Sequence, residues 1–416
     1  MFEFLVIYSP LWVPGLIALV IGLIYLFNFL PALTAEYFDI INSSFGIIIS
    51  TTFIWLPFLL LYIFSEVWLQ YVRAEYLSKL EWILLEIKIP QEVLKSPLSM
   101  ETFLMSLYQT GSETTFIDRT IKGQLRAHFS LEIVSVEGVV KFYIYSQKKF
   151  RTLIESGLYA QYPNIEIHEA PDYAMSVHFN PKEMDLYVTD FALSNPDPYP
   201  IKTYVDYGID KENVEEENKI DPINTIIEYM GTIGPNQECW LQILIRAHKG
   251  EAHKHGTWFG KTDAWKDKAK EEIEKIRKSS LPKDDAGTKF PNPTKGEQER
   301  ILALERSVSK LSFDTVVRAI YMGKKGFYNG ANIGSVRGLL RAYSAPHLNG
   351  FKPAYWTNKF DYPWQDFRNI RQNRIKGEGL EAYKRRSGFH MPYNEGPIIV
   401  LNVEELASVF HLPGKV

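Results

Sequence analysis

The sequence predicts an α+β protein: an N-terminal two-helix transmembrane hairpin, then tandem ferredoxin-like (βαββαβ) modules, the second with a helical insertion. Three observations predict it. No Asp, Glu, Lys or Arg lies between Glu3 and Glu36, nor between Asp39 and Glu66. Each interval holds an apolar run of about 20 residues, the length that crosses ~30 Å of hydrocarbon as a helix. After Arg73 the period changes to short alternating strands separated by amphipathic helices, and that order of elements occurs twice.

The two apolar runs are residues 11–30 and 45–64. The start MFEF carries Glu3 in place of a basic n-region, and a second run follows at once, so a retained hairpin is expected rather than a cleaved signal peptide. Glu36 and Asp39 lie in the connection 31–44, which has no Lys or Arg, whereas Arg73, Lys79 and Lys88 follow the second run. The Lys/Arg bias puts both termini on the cytoplasmic side. Neither run carries a charge, which excludes an ion path built on buried ionisable groups.

Residues 64–79 continue the second helix into water. Residues 82–89 (WILLEIKI) read as a strand. Ser96-Pro97 opens a helix, with Ser at the cap and Pro at the first position. Residues 129–137 and 139–145 alternate around Glu137-Gly138, a β-hairpin signature. A helix over 148–162 and a strand over 165–169 complete the first module. The second starts with strand-like stretches at 185–193 and 201–207. An acidic linker, a helix over 222–233 capped by Asp221 and a strand over 239–247 follow. Two charged helices, 263–278 and 297–311, form the insertion. A strand over 312–322 and a helix over 333–343 resume the pattern, and residues 397–402 and 403–410 end it as strand and helix. The expected domains are 1–72, 73–180, 181–355 with its insertion at about 248–311, and 356–416.

The net charge of −3 gives no global case for nucleic acid. The single Cys239 excludes a disulfide framework and a cysteine zinc site. Residues 256–262 (GTWFGKT) have three residues between their glycines, where a phosphate-binding P-loop needs four. His248, His253 and His255 share a lysine-rich loop, and a metal needs ligands on rigid elements. No nucleophile elbow or paired carboxylate constellation is present, so neither an enzyme nor a bound cofactor or metal is expected. From Thr315 to His390 there are 14 basic against 4 acidic side chains. Within this stretch Arg368, Arg371, Arg374, Lys376, Lys384, Arg385 and Arg386 stand among aromatic residues. Such a mixture suits a protein partner, nucleic acid or anionic lipid.

Four stretches carry a family resemblance: ILLEIKIP with KSPLSMETFL, residues 129–173, DPINTIIEYMGTIGPNQECWLQILIRAH, and the ending LNVEELASVFHLPG. They resemble the membrane-proximal region of type IV secretion-type ATPases of the conjugative or DNA-pumping kind, in forms found in candidate phyla radiation bacteria. In that family the last segment leads into a nucleotide-binding domain; here the sequence stops at Val416. The resemblance implies a bacterial inner-membrane protein whose motor is either a separate hexameric ATPase or part of a longer protein of which this chain is a fragment; the separate ATPase is the expected partner. The expected function is a non-catalytic, membrane-anchored subunit or adaptor of a type IV secretion-like apparatus, a homo-oligomer within the assembly. The alternative is a membrane-tethered module that binds nucleic acid or anionic lipid through the basic segment.

Overall fold

A computed structural model of the chain describes residues 35–90, 96–113, 115–210, 220–250, 252–253, 261–280, 293–356, 360, 362, 364–390, 393 and 396–413. Two compact units emerge, Met1–Tyr71 and Val72–Val416.

Helix α1 (Ala35–Ser78) is 44 residues long. Within its stretch Thr51–Ser78 an 18-residue window has mean hydropathy 1.7 and no buried residue. At 1.5 Å per residue, those 28 residues span about 42 Å. Among the described residues this is the one helix long and apolar enough to cross a membrane. The two-helix hairpin is therefore corrected to one apolar helix. The first expected run, residues 11–30, lies outside the described residues. Much of the expected connection is itself helix, because no proline interrupts the chain between Pro31 and Pro57.

The second unit is built on one antiparallel sheet of nine strands: β1 (Trp82–Lys88), β2 (His128–Val136), β3 (Val139–Gln147), β4 (Glu166–Ala170), β5 (Met184–Leu193), β6 (Gln237–Ala247), β9 (Ser312–Lys324), β10 (Phe351–Trp356) and β11 (Ile399–Asn402), while β7 (Ala252–His253) and β8 (Lys261–Thr262) pair separately. The order is β10-β5-β9-β6-β2-β3-β1-β4, with β11 on β9. This corrects the tandem ferredoxin-like modules. Strands β2 and β6, one from each expected module, pair over their lengths from His128↔Arg246 to Val136↔Glu238. Separate modules would each leave an unpaired row of amides and carbonyls on these apolar strands; joining them removes both edges.

Strand β9 binds β6 along one side. Its other side is divided: β5 pairs from Phe191↔Val317 to Met184↔Lys324, and β11 takes over at Ile399↔Thr315. The expected hairpin forms, with Glu137 and Gly138 at φ 53° and 88°, the left-handed pair that a two-residue turn requires.

Helices α2 (Pro97–Ser106), α4 (Arg151–Gln161), α5 (Pro222–Gly231) and α10 (Val403–Val409) share one large core with one sheet face. All seven residues of α10 are buried. Glu404 accepts from Thr203 Oγ1 at 2.6 Å and pairs with Lys310 at 2.9 Å. Glu405 closes a capping box with Asn402 and accepts the Ile201 amide at 2.8 Å. The opposite sheet face is covered by helix α9 (Ile370–Lys384) and a short 3-10 turn at Tyr173–Ser176. Helices α6 (Ala264–Ser279) and α7 (Lys295–Ser309) pack together through Ile273, Ile276, Ile301 and Leu304.

Two local expectations change. Residues 201–203 are irregular and 204–207 are turn, not strand, because Ile201, Thr203 and Tyr204 bond to side chains of α10 rather than to a neighbouring strand. The helix expected over 333–343 is the shorter α8 (Asn332–Arg337), followed by a 3-10 turn, Arg341–Tyr343.

Candidate functional site

One face of the sheet carries a row of polar side chains where alternation calls for apolar ones. Asp190, Arg318, Gln242 and Glu132 stand opposite one another on β5, β9, β6 and β2. Arg318 and Asp190 are fully enclosed, with Nε–Oδ1 at 2.7 Å and Nη2–Oδ2 at 3.2 Å. Arg318 also donates to the Ser387 carbonyl at 3.0 Å. Glu132 accepts from Ser130 Oγ at 2.6 Å, Gln242 Nε2 at 3.2 Å, Tyr173 OH at 2.8 Å and Arg386 Nε at 3.0 Å. Arg386 reaches Asp172 as well, with Nη2–Oδ1 at 2.9 Å, and its guanidinium lies 4.3 Å from the Tyr145 ring centre. Burial pushes the Tyr173 and Tyr383 hydroxyls far above their ordinary range. Charges enclosed this way hold strands and covering segments in register; bidentate arginine pairs are well suited to it.

A second group joins Asp314, Arg246, Arg126 and His248. Asp314 bonds Arg246 Nε at 2.8 Å and His248 Nδ1 at 2.5 Å. Burial works against the charged form of His248, yet the bond to Asp314 and the charges of Asp314 and Asp263 raise its pKa. Of the other two histidines in that loop, His253 lies on the two-residue strand Ala252–His253, paired with Lys261–Thr262, and His255 lies outside the described residues. Residues 256–260 of the glycine-containing loop also lie outside them. Among the described residues no three His, Cys, Asp or Glu side chains group to hold a metal ion.

The exposed face lies where the chain enters α9. Trp364, Phe367 and Ile370 are 77%, 72% and 64% exposed, and Tyr362 stacks on Trp364 with ring centres 4.7 Å apart. Arg368 and Asn369 both adopt left-handed backbone, φ 57° and 58°. Asn369 makes no cap bond; the buried Asp366 carboxylate instead accepts the Arg371 and Gln372 amides at 2.8 and 2.7 Å. Asp366 thus caps the helix from outside the turn and holds two residues in a conformation that costs on the order of 1 kcal/mol each. Further along, α9 lies tight on β5, because a Cβ at Gly379 would stand 3.0 Å from Val188.

The seven basic residues do not form one surface. Arg386 is enclosed with Glu132 and Asp172, which corrects its place among surface cations. Lys384 is buried against Glu381, and Lys376 is paired with Asp185. Arg374 bonds Glu378 at 2.8 Å, and Arg385 lies 3.8 Å from Glu381. Arg368 and Arg371 are exposed and, among the described residues, form no ion pair. Sequence reasoning missed the row on the sheet. Its signal was one charged residue in the middle of each apolar strand: Glu132 in FSLEIVSV, Asp190 in DLYVTDFAL, Arg318 in TVVRAIYM.

Residues 70–416 match the family described as Domain of unknown function (DUF8128). The chain belongs to this family. Its DUF8128 region takes in the whole nine-stranded sheet and the exposed aromatic residues at the start of α9. No curated protein matches the chain. Among solved structures it is similar to a variant of berberine bridge enzyme, at 9% identity and TM-score 0.21. That alignment covers 75% of this chain and 54% of the other, so the chain spans about half of that enzyme's length. The likeness is too slight to bear on the fold or the site.

Proposed function

We propose that this chain is a membrane-anchored, non-catalytic adaptor of a type IV secretion-like apparatus, with its DUF8128 domain on the cytoplasmic side of a bacterial inner membrane. Copies of it would assemble around a separate hexameric ATPase and dock that motor through residues 362–374. The observation that carries this reading is the exposed set of Trp364, Phe367 and Ile370 beside Arg368 and Arg371. Tryptophan, tyrosine and arginine dominate the energetics of protein interfaces. A pre-formed turn lowers the ordering cost of binding, and Asp366 supplies that order. The helix Thr51–Ser78 and the resemblance to secretion ATPases support the membrane setting.

The test is purification of the full chain from its native membrane in mild detergent, with bound proteins identified by mass spectrometry. A hexameric ATPase of this class should co-purify, and Trp364→Ala with Phe367→Ala should remove it. Repeated recovery without such an ATPase overturns the adaptor reading. The same arginine–aromatic face favours a second reading, nucleic acid or anionic lipid. Binding to DNA or anionic vesicles that falls steeply with salt and is abolished by Arg368→Glu with Arg371→Glu would support it.

A further inference from the structure

A second exposed apolar cluster lies on a different part of the domain. Helix α3 (Phe116–Thr120) has five residues and none is buried. Phe116 is 73% exposed, and Ile117 and Ile121 are more than half exposed. A helix this short does not persist in water on propensity alone. Here Thr115 caps it by accepting the Asp118 amide at 3.1 Å, and Gly123 pins its far end. Gly123 stands at φ +61°, and a Cβ there would collide with the Val72 carbonyl oxygen. The segment is therefore pressed against the backbone of α1 at Val72 and Arg73. Trp68 and Tyr71, residue types that favour the membrane–water boundary, precede Val72 on that helix.

We propose that residues 115–122 form an interfacial foot that inserts Phe116, Ile117 and Ile121 into the headgroup boundary of the bilayer. The occupant is lipid rather than a protein groove on two grounds. The foot is fixed to the same helix that carries the membrane-spanning stretch. The exposed polar side chains on the foot include Arg119 and Lys122, the sign that complements anionic headgroups. Lys122 also pairs with Asp118 at 2.9 Å, which keeps the polar side of the foot ordered. The inference rests on the membrane-anchored reading above and adds a second, lateral attachment to it.

The experiment uses the full chain in vesicles of phosphatidylcholine with a minority of phosphatidylglycerol. Cys239 is buried, and burial pushes its thiol to about 12, so it stays unlabelled. Single cysteines at Ile117→Cys, Val139→Cys and Phe58→Cys carry an environment-sensitive fluorophore, quenched by lipids bearing a nitroxide at a shallow or a deep acyl position. Val139 is an exposed apolar residue at the β2–β3 turn and reports water. Phe58 reports insertion of the helix itself. Ile117→Cys should be quenched severalfold more than Val139→Cys, and most by the shallow nitroxide. If Phe58→Cys is quenched while Ile117→Cys matches Val139→Cys, the foot is overturned and the anchor stands. If Ile117→Cys alone is quenched, the foot stands and the spanning helix falls. If neither is quenched, both readings fall.

Discussion

At Glu132 the fold places a carboxylate where no water reaches it and surrounds it with four donors. Removing one partner of such a pair strands the other charge, at a cost of about 3–5 kcal/mol, whereas replacing both often costs little. Arg386→Met alone should therefore lower the melting temperature sharply. Arg386→Met with Glu132→Gln should recover most of the loss in thermal unfolding of the detergent-purified chain; equal losses would show that the pair is not coupled. Glu405 makes a different prediction. Burial raises its pKa from about 4.5 to about 8, outweighing the amides of Asn402 and Ile201 that favour the carboxylate. The folded state thus binds a proton that the unfolded chain releases between those two values. Stability from this group is complete below about 4.5 and falls as pH rises toward 8. Glu405→Gln should flatten that fall, so the variant gains on the parent between pH 5 and pH 8 in melting temperature. An unchanged difference at the two pH values would remove Glu405 as the cause.

Among the elements, the cap at Asp366 and the glycine at 123 are the sensitive points. Asp366→Ala frees two helix amides and should cost about 1–2 kcal/mol of local stability. The check is hydrogen exchange at the first turn of α9, which should quicken while exchange in β6 stays unchanged. Gly123→Ala meets both a left-handed backbone and the Val72 carbonyl, so it should loosen residues 115–123 in the same measurement. Much at this scale was legible in the sequence. Ser96-Pro97 announced α2, alternation around Glu137-Gly138 announced the hairpin, and Asp221 announced α5. Residues 201–207 misled, because Ile201, Thr203 and Tyr204 have strand-like composition but bond to α10, about two hundred residues later in the chain. The candidate face was half legible. Composition marked the basic stretch, but a list of arginines does not say that Arg386 turns inward to Glu132 while Arg368 faces out.

For the whole molecule, the pairing of β2 with β6 was hidden because no local pattern names the partner of a strand edge. Two expected modules became one sheet, and their inner edges now form its middle. The longest strand, β9, shows a further consequence. One of its sides is shared between β5 and β11, and β11 leads directly into α10, whose seven residues are all buried. At ~5–20 residues per second, synthesis from Ser78 to Ile399 takes on the order of tens of seconds. For most of that interval the apolar helix has left the ribosome while the sheet lacks its last strand and one core face lacks α10. An apolar stretch long enough to cross a bilayer is therefore complete well before the domain that follows it can close.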